Sequence, residues 1–171
     1  GLVSTHAPAA KQYLYMTWNE TTDAAQLNAG YDGYQKVVEQ LLNTPYTSGS
    51  TTLTVVPVGT AIQNERNTYL GLIQHNVDAI TDKNVNLTTD PVRGLQRDTG
   101  HLSYNVGRYT AALTFAAMIT APDSTETETE LLARLDALTA NIPLSYEGTT
   151  ALPADYMSIL KTSVANAILT P

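Results

Sequence analysis

Apolar and polar positions follow two different rhythms along this chain. Residues 11–18, K-Q-Y-L-Y-M-T-W, are rich in aromatic and strand-favouring side chains with no breaker among them, and they predict a strand. Between positions 31 and 42 the period changes. Tyr34, Val37, Val38, Leu41 and Leu42 form one apolar stripe at helical spacing. Asn43-Thr44-Pro45 and Ser48-Gly49-Ser50 then interrupt the chain, and residues 52–58 form a short β-branched run of the kind found in buried parallel strands. Pro57 stands near its end, where a missing N–H is tolerated.

A second helix is expected over 60–80, carrying Ile62, Leu70, Ile73 and Val77, followed by a loop over 83–97. Ser103 is in position to cap a helix that runs through Val106, Tyr109, Leu113 and Ala116 to Ile119. Residues 125–140 read as another helix with Glu126, Glu128 and Glu130 in its first turns, where the helix dipole favours acids. A loop over 142–153 leads to a last helix over 154–169, with Tyr156, Ile159, Leu160, Val164 and Ile168 on its inner side. The alternation of strand and helix predicts the α/β class with parallel strands. Two strands are few for such a sheet, since a doubly wound domain has about five.

Composition narrows the function classes. The 171 residues are 43% hydrophobic, enough for a core, and only 15% charged. The net charge of -7 argues against nucleic acid as a partner, because neutralising phosphates requires a basic face. No apolar run approaches the roughly 18 residues of a membrane-spanning helix. With no cysteine there is neither a disulfide framework nor a thiolate nucleophile. His6 and His75 lack a second ligand at metal spacing, and no glycine-rich phosphate loop occurs, so neither metal nor cofactor is expected.

Three segments carry candidate chemistry. In Arg97-Asp98-Thr99-Gly100-His101-Leu102-Ser103, a carboxylate three residues before a histidine in a tight loop can orient one ring nitrogen and leave the other as a general base. By spacing alone, a surface loop with an incidental Asp–His hydrogen bond is the commoner origin of such a pair. In the second segment the strand over 52–58 empties into Gly59 and then Gln63, Asn64 and Arg66, which suit either a substrate pocket or the wet face of a helix. Trp18, at the end of the first strand, suits stacking on a sugar ring or ordinary packing at the rim of the core.

Taken together and in order, the strand ending in Thr17-Trp18, the run P-V-G-T-A-I-Q-N-x-R and the block D-x-x-H-L-S-x-x-x-G-R-Y resemble the SGNH (GDSL-like) hydrolase superfamily. The nearest likeness is to a branch of unknown function common in gut bacteria, and it covers roughly residues 11–120. The resemblance implies a three-layer α/β/α, flavodoxin-like fold, of which residues 1–122 would be the C-terminal part and 123–171 a helical extension packed on the same domain. It also implies ester hydrolysis by a Ser-His-Asp triad, with His101 as base and Asp98 as its orienting partner. Trp18, Gln63, Asn64 and Arg66 are the expected substrate-binding residues. The expected substrate is a small-molecule or carbohydrate ester, and the parent protein would be exported.

The family's nucleophile lies in a G-x-S block on the first strand, and no such block occurs here. Ser4, Ser48, Ser50 and Ser103 do not sit in a G-x-S turn between a strand and a helix. The chain is therefore expected to hold the acid–base half of the site and to be inactive alone. The alternative is a non-catalytic binding or assembly module, in which a homo-oligomer covers an exposed sheet edge.

Overall fold

The computed structural model describes residues 6–7, 9–18, 27–43, 53–68, 95, 101–102, 106–122, 125–142 and 154–170. Among them the fold is mixed α/β and mostly helical. Strands β1 (Gln12–Tyr15) and β2 (Leu53–Val56) pair in parallel as a two-stranded sheet, with Gln12 opposite Leu53 and Tyr15 opposite Val56. Five helices accompany them: α1 (Leu27–Leu42), α2 (Val58–Thr68), α3 (Val106–Ile119), α4 (Glu128–Thr139) and α5 (Ala154–Leu169).

Both strands end for local reasons. Pro57 has no N–H to continue the ladder, and its carbonyl instead accepts from Ala61 N at 3.0 Å, so β2 turns into α2 without a linker. Met16 donates to Val56 O at 3.1 Å, and its carbonyl accepts from Gly59 N at 2.9 Å. The chain leaving β1 is thereby stitched to the first turn of α2. The helix predicted from position 60 thus begins two residues earlier, at Val58. Its expected continuation through Leu70, Ile73 and Val77 lies outside the described residues, as do the Ser103 cap and the 143–153 loop.

The core is built from Val56, Val58, Ala61 and Ile62 on one side and Val106, Leu113, Leu131, Leu135, Leu160 and Val164 on the other, all buried. Helix α2 packs against α5, α3 and α1, so its sides are enclosed and its polar residues are carried inward. Helix α1 is less enclosed. Its predicted stripe leaves Val37, Leu41 and Leu42 exposed, and Tyr34 and Val38 half-buried. Polar side chains tie α1 to α2: Gln35 Nε2 donates to Tyr31 Oη at 2.7 Å, and Tyr31 Oη donates to Thr60 Oγ1 at 3.4 Å.

Helix α4 starts three residues later than the acidic pattern implied, at Glu128. Thr127 is its N-cap and forms a capping box: Glu130 N donates to Thr127 Oγ1 at 3.3 Å, and Thr127 N donates to Glu130 Oε2 at 2.9 Å. Glu126 consequently stands outside the helix, where it meets Arg134. Thr127→Ala removes the side-chain half of the box and the hydroxyl's bond to Glu130, keeps the backbone N–H that Glu130 accepts from, and should lower stability by about 1 kcal/mol, read as a shift in the urea midpoint. An unchanged midpoint would show that the cap does not hold this helix end in solution.

Candidate functional site

The candidate site grows from the place where two parallel strands run into α2. In parallel α/β sheets the C-terminal strand ends face the ligand crevice, and here those ends are drawn together at Met16 and Gly59. The approach is close because Gly59 has no side chain. A Cβ there would sit 2.1 Å from Thr17 O. Trp18 follows directly, half-buried and packed against the hydrophobic core. Its indole Nε1 is buried with no hydrogen-bond partner among the described residues. The ring thus has one side committed to the core, as a rim residue does.

The amide and guanidinium residues of α2 are buried to an extent that their polarity did not foretell. Gln63 and Arg66 are each 4% exposed and Glu65 is fully buried. Asn64 Nδ2 donates to Ser163 O at 3.3 Å, which fastens α2 to α5. Burial draws the Arg66 guanidinium down to about 10, with Glu65 pulling the other way, so it remains a cation at neutral pH.

The residue that the motif reading passed over is Glu65. It reaches α3, where Thr110 Oγ1 lies 2.8 Å from its Oε2, within hydrogen-bond distance, while Oε1 has no partner among the described residues. Burial pushes the carboxyl up to about 8, against smaller opposing pulls from the Thr110 hydrogen bond and Arg66. One signal for it was present in the sequence. Glu65 follows Val58, Ala61 and Ile62 at helical offsets of seven, four and three, so it lies on the apolar stripe of α2.

His101 is exposed and immediately precedes Leu102, which is buried in the core. Leu102 and Leu95 are held at the start of α3 by Gly107, where a Cβ would meet Leu95 O at 2.1 Å and Leu102 Cβ at 3.0 Å. The histidine is therefore held in place by its buried neighbour. Asp98, its expected partner, lies outside the described residues. The structure thus brings Trp18, Gln63, Asn64 and Arg66 to the β2–α2 junction and its helix, and places His101 beside Leu102, which packs at Gly107 near the N-terminal end of α3.

No group of three or more His, Asp or Glu side chains that could hold a metal ion occurs among the described residues. No described helix is long and apolar enough to cross a membrane. No family model, no curated protein and no solved structure matches this chain.

Proposed function

We propose that this chain is the acid–base portion of a serine ester hydrolase of SGNH type, built on a three-layer α/β/α sheet of which β1 and β2 are two strands. In that reading His101 is the general base, Asp98 orients it, and the nucleophilic serine comes from a G-x-S block outside this sequence. The α2 face bearing Gln63, Asn64 and Arg66, together with Trp18, forms one wall of the ester pocket. The observation that carries the reading is the convergence of the C-terminal ends of two parallel strands on the first turn of α2, through the Met16–Gly59 hydrogen bond. An exposed His101 next to the buried Leu102 adds to it.

The test uses a chromogenic acetyl ester and a protein extended upstream, in frame, to include the source gene's G-x-S block. This chain alone should not raise hydrolysis above the buffer rate. The extended protein should turn over, and His101→Ala and Asp98→Ala should each lower kcat by about a thousandfold or more. An upstream sequence without the block, or full activity in His101→Ala, refutes the proposal.

The exposed Val37, Leu41 and Leu42 of α1 favour a second reading, an assembly module whose apolar helix face meets a second copy of the chain. Light scattering on eluted protein separates the two: a concentration-independent dimer that Leu41→Glu dissociates supports assembly, and a monomer removes it.

A further inference from the structure

We propose that Glu65 is a proton-dependent latch between α2 and α3, closed when its carboxyl is neutral and loosened when it ionises. The proton count at Thr110 leads to this assignment. Thr110 Oγ1 lies 2.8 Å from Glu65 Oε2 and 3.0 Å from Val106 O, two acceptors for a single hydroxyl proton. With an ionised carboxylate, one of the two contacts has no hydrogen. A protonated carboxyl resolves the shortage. Glu65 then donates to Thr110 Oγ1, and Thr110 donates to the Val106 carbonyl one helical turn back. The second carboxyl oxygen points the same way, because Oε1 is buried without a partner among the described residues, a cost far larger for a carboxylate than for a neutral acid.

The surrounding charges do not reverse this. Arg66, the buried neighbour on the same helix, pulls the carboxyl downward, but less than burial raises it. Among the described residues of α3, Arg108 is exposed and Tyr109 donates to Ile142 O. On α5, Lys161 is paired with Asp136 of α4. The charged residues of α1, Asp32, Lys36 and Glu39, are exposed. Burial, which pushes the carboxyl to about 8, is the largest influence on it. The sign then follows from linkage. Between the ordinary carboxylate range near 4.5 and about 8, the folded protein keeps a proton that the unfolded chain has lost, so stability falls as pH rises through that window. When the proton leaves to bulk base, a charge remains beside Thr110. The junction that loosens is the one linking the Gln63–Arg66 face to the helix that follows His101. This latch is independent of whether the chain hydrolyses esters.

The experiment compares thermal unfolding of the wild type and Glu65→Gln from about pH 5 to about pH 9. The wild-type midpoint should fall by several degrees relative to Glu65→Gln across that range, with the amide variant the more stable at the alkaline end. Parallel profiles overturn the latch. Carboxyl-carbon NMR of the wild type decides the matter even if the variant does not fold. One glutamate should titrate near 8 and respond to Thr110→Val, whereas glutamates that all titrate in the ordinary range overturn it.

Discussion

Replacing Gly59 with alanine will destabilise the protein by about 3 kcal/mol or more. The new Cβ would stand 2.1 Å from Thr17 O and 3.0 Å from Thr17 C, far inside contact distance. Both obstacles are backbone atoms, so no side-chain rotation relieves them. The chain segments are close because Gly59 N donates to Met16 O at 2.9 Å, and pushing them apart breaks that bond along with the clash. Gly107→Ala presents the same problem in α3, against Leu95 O and Leu102 Cβ, and should cost a similar amount while loosening Leu102, the neighbour of His101. Gly33 supplies the control. Nothing lies within 4 Å of a Cβ built there, and alanine in the middle of α1 should stabilise by about 0.5–1 kcal/mol through lost backbone freedom in the unfolded chain. Urea midpoints that move alike for Gly59→Ala and Gly33→Ala would refute the close approach of β1 and α2.

Arg134→Met is the second effect, expected at about 1–2 kcal/mol because the pair is part-buried and bidentate. Arg134 joins three features that are separate in sequence. Its Nε and Nη2 donate to the two carboxylate oxygens of Glu126 at 2.7 and 2.6 Å. Its Nη1 donates to Ala117 O at 2.7 Å and Thr120 Oγ1 at 3.0 Å, satisfying the end of α3, whose last carbonyls have no partners within the helix. Methionine keeps the packing volume but abandons Glu126 and the α3 terminus together. The pair also leaves a signature in acid. The Arg134 hydrogen bond holds the Glu126 carboxyl below the usual carboxylate range. Its contribution is therefore complete above the ordinary range near 4.5 and is lost as pH falls through the lowered value. The wild type should lose stability over that acid interval, and Arg134→Met should lose less. Equal acid slopes in the two proteins would show that the contact is not formed in solution.

The helices were legible where an apolar period was long. The stripe ending in Leu42, the run from Val106 to Ile119 and the final helix with Leu160 and Val164 inward all follow from spacing. Spacing did not say what each stripe would meet. The α1 stripe, as regular as the others, leaves Val37 51% exposed, because a period specifies a face and not a neighbour. The three acids around the start of α4 read alike, yet Glu130 closes a capping box and Glu126 binds an arginine eight residues on. That difference depends on where the helix begins, and Thr127 decides it. The candidate site divides in the same way. The run from Pro57 to Arg66 was recognisable as a junction of strand and helix, but Glu65 within it gained its partner only when α3 came alongside.

What the sequence by itself determined is local: two parallel-type strand segments, helices at 3.6-residue spacing, a proline that ends β2 and an acidic surface with few charges. These follow from steric and hydrophobic patterns that act within a turn or two of chain. Only the tertiary structure decided that Gly59 and Gly107 are points of backbone contact, that Arg134 closes the end of α3, and that a glutamate would be enclosed with one threonine hydroxyl. Each depends on groups brought together across 12 to 45 positions of sequence, where close packing and loss of water, not local preference, determine the energy.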